Sequence, residues 1–173
     1  MFAADAQPGL GVDAMFVDVY ARLKAMASRR LASNDTLDTT ALVHELYLRV
    51  GQNSKLSFAE QKQFFAYAAH AMRHLLSDRA RDRLRLRAGG AWASITLDGE
   101  DLRLSIDSAE EVLALEESLL KLERVDARAA KVVELRYFAG LSLDQTAETL
   151  GLARRTVDRD WCFARAFLHA ELG

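Results

Sequence analysis

Leu141-Ser142-Leu143-Asp144-Gln145-Thr146-Ala147-Glu148-Thr149-Leu150-Gly151-Leu152-Ala153-Arg154-Arg155-Thr156-Val157 reads as a helix, a tight turn and a second helix. Ser142 and Gln145 form a capping box, in which the serine oxygen takes the N3 amide and the glutamine reaches back. Gly151 stands where a left-handed residue ends a helix. Ala147 is small where two crossing helices approach, and Val157 returns to the core. This is a helix-turn-helix layout, whose second helix sets its N-terminal residues in the major groove of DNA. Arg154, Arg155, Thr156, Asp158 and Arg159 are therefore candidate DNA-binding residues. Arginine reads guanine bidentately or holds a phosphate, and threonine suits backbone or methyl contact. The plainer reading is a helical hairpin with a solvated charged face.

The same punctuation recurs upstream. Ser57 with Glu60 and Ser108 with Glu111 match the capping box, Asp38 and Asp126 are single N-caps, and Gly51, Gly89-Gly90 and Gly140 are stops. These signals predict helices near 13–32, 39–50, 58–88, 109–122, 127–139, 143–150 and 154–171. Leu42, Leu46 and Val50 fall four apart with Val43 and Tyr47 beside them, which makes one apolar stripe. In the last helix Val157, Trp161, Ala164 and Leu168 do the same. Arg79, Arg81, Arg83, Arg85 and Arg87 alternate at a strand period, yet nothing breaks a helix between Ser57 and Gly89. Residues 89–107 hold three glycines and no sustained helical period, so they read as a linker. The expected fold is all-α: a helical domain at 10–88, an acidic linker at 89–108, and a second helical domain at 109–173.

Composition supports this reading. Half of the 173 residues are apolar, which excludes wholesale disorder, and a chain with no proline after Pro8 is a poor candidate for an all-β fold. The one cysteine, Cys162, fits a reducing compartment. The N-terminus lacks the basic start of a signal peptide, and no apolar run approaches the roughly 20 residues of a membrane helix, so a cytoplasmic protein is expected. A net charge of −2 conceals a division. Residues 1–88 carry 13 Lys/Arg against 9 Asp/Glu, residues 89–111 carry 1 against 6, and residues 112–173 carry 9 against 10. The basic block is one that a nucleic acid would feel.

Within that block, Arg73, Arg79, Arg81, Arg83, Arg85 and Arg87 face only Asp78 and Asp82, a surface suited to phosphate and to strongly salt-dependent binding. Phe64, Phe65 and Tyr67 could stack on bases but at helical spacing belong to a core. His70, His74 and Asp78 fall four apart, yet no third strong ligand cluster accompanies them, so no metal is expected. Cys162 lacks a base-bearing constellation and reads as inert. With no glycine-rich phosphate loop, no Gly-x-Ser-x-Gly and no paired carboxylates, neither an enzyme nor a cofactor is expected.

Val133–Ser142 (VELRYFAGLS) leading into Gln145-Thr146-Ala147 and Arg155-Thr156-Val157 resembles region four of bacterial sigma factors, as does Arg159-Asp160-Trp161-x-Phe163-Ala164-Arg165-Ala166. Thr40–Arg49 (TALVHELYLR) resembles region two point two. Phe64-Phe65-Ala66 through Ala71-Met72-Arg73, and Ser77-Asp78-x-Ala80-Arg81, resemble the regions that hold and melt the promoter. Together they resemble the extracytoplasmic-function (ECF) group of the sigma-70 family from about residue 12 to 171.

The resemblance implies a dissociable subunit of RNA polymerase that directs promoter-specific initiation. It implies that Leu42, Val43, Glu45, Leu46 and Arg49 dock on the clamp helices of the polymerase β′ subunit. The Arg73–Arg87 helix would engage the minus-ten element, and the C-terminal half, near the β flap, would read the minus-thirty-five element from Arg154 onward. An anti-sigma factor or a Ser/Thr kinase is an implied controlling partner, and a membrane is not. Three departures stand out. Ala153 replaces a common serine cap, Asp158 sits where relatives often carry a base, and Asp38-Thr39-Thr40-Ala41 replaces a denser acidic motif. Phosphorylation of Thr40 or Thr39 would supply that acidity at a helix N-terminus, where the dipole favours it. The rival from another class is a stand-alone helix-turn-helix repressor or activator with a helical dimerisation or sensor domain.

Overall fold

The computed structural model describes residues 10–11, 36–51, 57–58, 61–86, 95–99, 102–106 and 108–173; the expected helix at 13–32 lies outside them. Among the described residues six helices carry the fold: α1 (Thr36–Gly51), α2 (Gln61–Leu86), α3 (Ala109–Val125), α4 (Ala127–Val133), α5 (Leu143–Leu150) and α6 (Arg154–Leu172). The all-α class stands. It is supplemented by two short antiparallel pairs, β1 (Leu10–Gly11) with β2 (Ser57–Phe58) and β3 (Ile95–Gly99) with β4 (Leu102–Ile106).

The helix ends follow from local chemistry. Ser108 Oγ accepts from the Glu111 amide at 3.2 Å and starts α3. Asp126 serves two helices: its amide donates to Leu122 O to close α3, and its carboxylate accepts from the Ala129 amide at 2.9 Å to open α4. The helix expected over 127–139 is not uniform. After Val133 the chain makes one π turn, Glu134–Phe138, closed by the Ala139 amide on Glu134 O, and then reverses at Gly140, whose φ is 63°. Such turns are often found where a helix presents functional side chains.

The region expected to be a structureless linker contains the β3–β4 hairpin, in the register Ile95↔Ile106 and Leu97↔Leu104. Ile95-Thr96-Leu97-Asp98 and Leu102-Arg103-Leu104-Ser105-Ile106 alternate apolar and polar, a period-two signal on either side of Gly99-Glu100-Asp101. The hairpin lies against α3 and the π turn.

Helix α2 is the centre of the described residues. By helical spacing Phe64, Ala68, Met72, Leu75 and Arg79 share one face, and Glu45 of α1 pairs with Arg79 there. Ala69, Arg73, Leu76, Ser77 and Ala80 share the other, and all five are buried. On that side α2 packs against α3 and the π turn and touches α5. The two halves anticipated at 10–88 and 109–173 thus share one contiguous set of buried apolar residues, from Leu42 to Leu168.

Candidate nucleic-acid interface

The helix-turn-helix forms as its sequence dictates. The Gln145 amide donates to Ser142 Oγ at 3.1 Å, and the Ser142 amide donates to Gln145 Oε1 at 2.9 Å, so both halves of the capping box are present. Gly151 takes the left-handed conformation, φ 64°, and ends α5. Ala153 has extended backbone and no side-chain cap bond, so α6 begins uncapped. Ala153→Ser is accordingly expected to raise stability by about 1 kcal/mol. A urea melt with an unchanged midpoint would contradict that reading.

Helix α6 is seated by polar as well as apolar contacts. Trp161 is 2% exposed and meets Tyr137 edge to face at 5.3 Å, while the Arg136 guanidinium lies 4.9 Å from the centre of the indole. Arg136 Nη1 also donates to Leu141 O at 2.8 Å, which ties the π turn to the start of the motif. Arg128 of α4 holds buried Asp160 through two bonds, of 2.5 and 3.0 Å. These contacts aim the first turn of α6 outward. Arg154, Arg155 and Arg159 are exposed, Thr156 and Asp158 are half-buried, and Val157 is buried.

Asp158 has a role that the sequence alone did not reveal. Its Oδ1 accepts from Arg154 Nε at 2.9 Å, and Asp144 of α5 accepts from Arg154 Nη1 at 2.6 Å. Hydrogen bonds donated to Asp144 and Asp158 push the Arg154 guanidinium above its ordinary pKa. Asp158 therefore orients Arg154 across the turn and lowers the net charge of this surface. Arg155 and Arg159 also face outward, with Arg159 Nε 3.9 Å from Asp160 Oδ1.

The basic stretch of α2 is helical throughout its described length, as expected, but its arginines differ in role. Arg73 requires a correction. It is 2% exposed and is held by Glu116 of α3 (Nε–Oε2 2.7 Å, Nη2–Oε1 3.1 Å) and by Glu134 of the π turn (Nη1–Oε1 2.8 Å). Burial pulls its pKa down, but the bonds and charges of the two glutamates outweigh this and raise it. In this conformation Arg73 meets carboxylates, not DNA. Arg79 is half-buried on Glu45, Arg81 lies 3.1 Å from Asp78, and Arg85 lies 3.8 Å from Asp82. Arg83 is half-buried, and Arg87 lies outside the described residues.

The expected docking set on α1 also needs correction. Leu42, Val43 and Leu46 are at most 1% exposed, because the apolar stripe that could have met a partner packs on α2 instead. Glu45 and Arg49 remain at the surface, Arg49 bound to Asp78 at 2.5 Å. Beside them Leu48 is 47% exposed, an apolar side chain missed in the sequence because it lies off the stripe. Glu45, Leu48, Arg49, Asp78, Arg81, Asp82 and Arg85 line one open groove of about 600 Å³. Thr39 and Thr40 fall in the first turn and a half of α1.

The remaining candidates resolve simply. Phe64 and Phe65 are core, and Tyr67 is half-buried. His70 and His74 meet each other at 3.0 Å between their Nε2 atoms, and His70 Nδ1 is 3.0 Å from Glu134 Oε1. No group of three or more metal-ligating side chains occurs among the described residues. Cys162 is exposed. No described helix is long and apolar enough to cross a membrane.

Three titratable groups carry a pH dependence, Glu134 and His74 near the contact of α2 with the π turn and Asp78 in the α1 groove. Burial raises the Glu134 pKa, but bonds from Lys131, His70 and Arg73 outweigh burial and hold the group below the ordinary range. Asp78 is lowered chiefly by its bond from Arg49. His74 is lowered by burial and then by His70. A depressed folded pKa contributes stability above the unfolded value and loses it as pH falls. Stability should therefore decline gently below about pH 6.5, from His74, and steeply below about pH 4, from the carboxylates. Equal urea midpoints at pH 7 and pH 3.5 would contradict this.

A family model described as ECF sigma factor matches residues 10–173. The chain belongs to the ECF sigma factor family. Sigma factors of this family serve promoter-specific transcription, and both the resemblance read from the two motif sets and the helical fold agree with membership. No protein of curated function matches the chain. The residues described above fall into a C-terminal helix-turn-helix on α5–α6 and a cation-bearing helix α2 flanked by the α1 groove.

Proposed function

We propose that this ECF sigma factor binds core RNA polymerase and directs it to promoters through two separate DNA contacts. The observation that carries the reading is the pairing, in one chain, of a helix-turn-helix that exposes Arg155 and Arg159 with a second helix bearing Arg79, Arg81, Arg83 and Arg85. A stand-alone operator binder has no use for the second set.

In this reading α6 enters the major groove at the minus-thirty-five element, with Arg155 and Arg159 on bases or phosphates and Arg154 placed by Asp144 and Asp158. The α2 arginines engage the minus-ten element and its displaced strand, so binding weakens steeply with salt. The α1 groove around Glu45, Leu48 and Arg49 takes the β′ clamp helices, and the C-terminal half lies near the β flap. In this reading residues 10–88 carry the polymerase and minus-ten contacts and residues 109–173 the minus-thirty-five contact. Phosphorylation of Thr40 or Thr39, near the start of α1, would add about −1.5 to −2 of charge where the helix dipole welcomes it. A kinase is then one controlling partner, and an anti-sigma factor is another. In this reading the chain works in the cytoplasm as a binding subunit of the polymerase rather than as a catalyst.

The test is a pull-down of bacterial core polymerase by tagged protein, wild type beside Thr40→Glu. Capture by either supports the proposal, and capture by Thr40→Glu alone supports the phosphorylation switch. Equal affinity of the two removes the switch. Failure of both, with retardation of duplex DNA by the protein alone as a dimer, overturns the sigma reading.

A further inference from the structure

His70 and His74 stand one turn apart on α2 and approach each other, with 3.0 Å between their Nε2 atoms and 77° between the ring planes. Neither ring belongs to the DNA or polymerase contacts proposed above. The His70 side chain is 49% exposed, so solvent reaches the pair. Its other nitrogen is occupied, because Nδ1 lies 3.0 Å from Oε1 of buried Glu134. An ionised carboxylate only accepts, so Nδ1 carries the proton and, in the neutral ring, Nε2 keeps its lone pair. His74 Nε2 then donates to that lone pair.

A histidine that binds a metal is prepared in the same way. Its second N–H goes to a carboxylate, which fixes the tautomer and raises the basicity of the ligating nitrogen. Asp78, the next residue at the same spacing, is taken by Arg49 and Arg81. The carboxylate that matters comes instead from Glu134, 64 residues away, and stands behind the His70 ring. The nearby charges do not repel a cation, since Glu116 and Glu134 face Arg73 and Lys131.

We propose that His70 and His74 chelate one divalent transition metal of tetragonal preference, Ni²⁺ or Cu²⁺, with water in the remaining positions. The spacing selects the ion. With metal–nitrogen bonds of about 2.0–2.1 Å, nitrogens 3.0 Å apart subtend roughly 95° at the metal. Tetrahedral zinc would need them about 3.3–3.4 Å apart at the same bond length. Imidazoles near a right angle suit a tetragonal ion. Binding requires a change of tautomer only: His74 gives up the proton on Nε2 and carries one on Nδ1, and no net proton is released. The ion then replaces the hydrogen bond between the rings and ties one turn of α2 to the next. This site stands apart from the sigma reading and does not depend on it.

The experiment uses the full, untagged chain. Ni²⁺ is titrated by calorimetry, and one equivalent of Cu²⁺ is added for pulsed EPR, which counts the coordinated imidazoles. The wild type should bind one Ni²⁺, show two imidazoles on Cu²⁺, and melt at a higher temperature when loaded. His74→Gln leaves the His70–Glu134 contact in place and should weaken Ni²⁺ binding by at least the about 10–100-fold that changes behind a ligand cost. His70→Gln should do the same. Circular dichroism follows the fold of each variant, and if one unfolds the other decides. His44 and His169 are exposed and unchanged in both variants, so they report adventitious binding.

Ni²⁺ affinity that persists in His74→Gln overturns the chelate. So does a stoichiometry that merely halves in either variant, which would mean two separate surface rings. One imidazole or none on Cu²⁺ in the wild type overturns it as well. Zn²⁺ bound more tightly than Ni²⁺ would overturn the choice of ion.

Discussion

Trp161→Ala is expected to cost about 3–5 kcal/mol, a large share of the 5–15 kcal/mol that holds a typical domain together. The indole is buried, it meets Tyr137 edge to face, and the Arg136 guanidinium lies over it. Truncation opens a cavity beneath α6 and leaves Arg136 over empty space. Because Arg136 also donates to Leu141 O, the damage extends through the π turn to the start of the helix-turn-helix. A urea melt should show the loss directly, and minus-thirty-five recognition should fail with it because α6 loses its seat. A change under 1 kcal/mol would mean that the indole is not the support described here.

The second large effect is expected at the surface. Leu48→Asp should lower affinity for core polymerase by about 30-fold or more, the roughly 2 kcal/mol of an interface hot spot. Leu48 is the apolar residue of a groove otherwise lined by charge, and an aspartate there would join Asp78 and Asp82 in that lining. Since Leu48 is half exposed, fold stability should stay within about 0.5 kcal/mol. Titration of labelled polymerase beside a thermal melt separates the two quantities. Unchanged affinity would place the polymerase contact elsewhere on the chain.

The two expectations differ in how readable their residues were. Trp161 was readable, because Val157, Trp161, Ala164 and Leu168 step along one helix face and such spacing is a local property of the chain. The starts at Ser108, Asp126 and Ser142 and the turn at Gly151 were readable for the same reason: a cap depends on residues within three positions. Leu48 was not, because an apolar stripe does not say whether it meets a core or a partner. Leu42, Val43 and Leu46 went to the core, and the surface kept a leucine off the stripe.

Arg73 lay beyond reach for another reason. Its row of arginines reads as a phosphate-binding surface, and the carboxylates that claim it are 43 and 61 residues away. No local pattern reports a contact across that distance. Asp158 reads as a misplaced charge until Arg154 and Asp144 are seen together across the turn. The β3–β4 hairpin, by contrast, carried a period-two signal that Gly89, Gly90 and Gly99 obscured by reading as a linker.

Promoter-specific initiation is measured most directly by transcription from a library of genomic fragments, with core polymerase alone and with this protein added. The account predicts discrete transcripts that appear only with the protein, from starts that share two upstream elements, and that fade when Arg155 and Arg159 are replaced by alanine. The same transcripts from core polymerase alone, or none with the protein present, would contradict it.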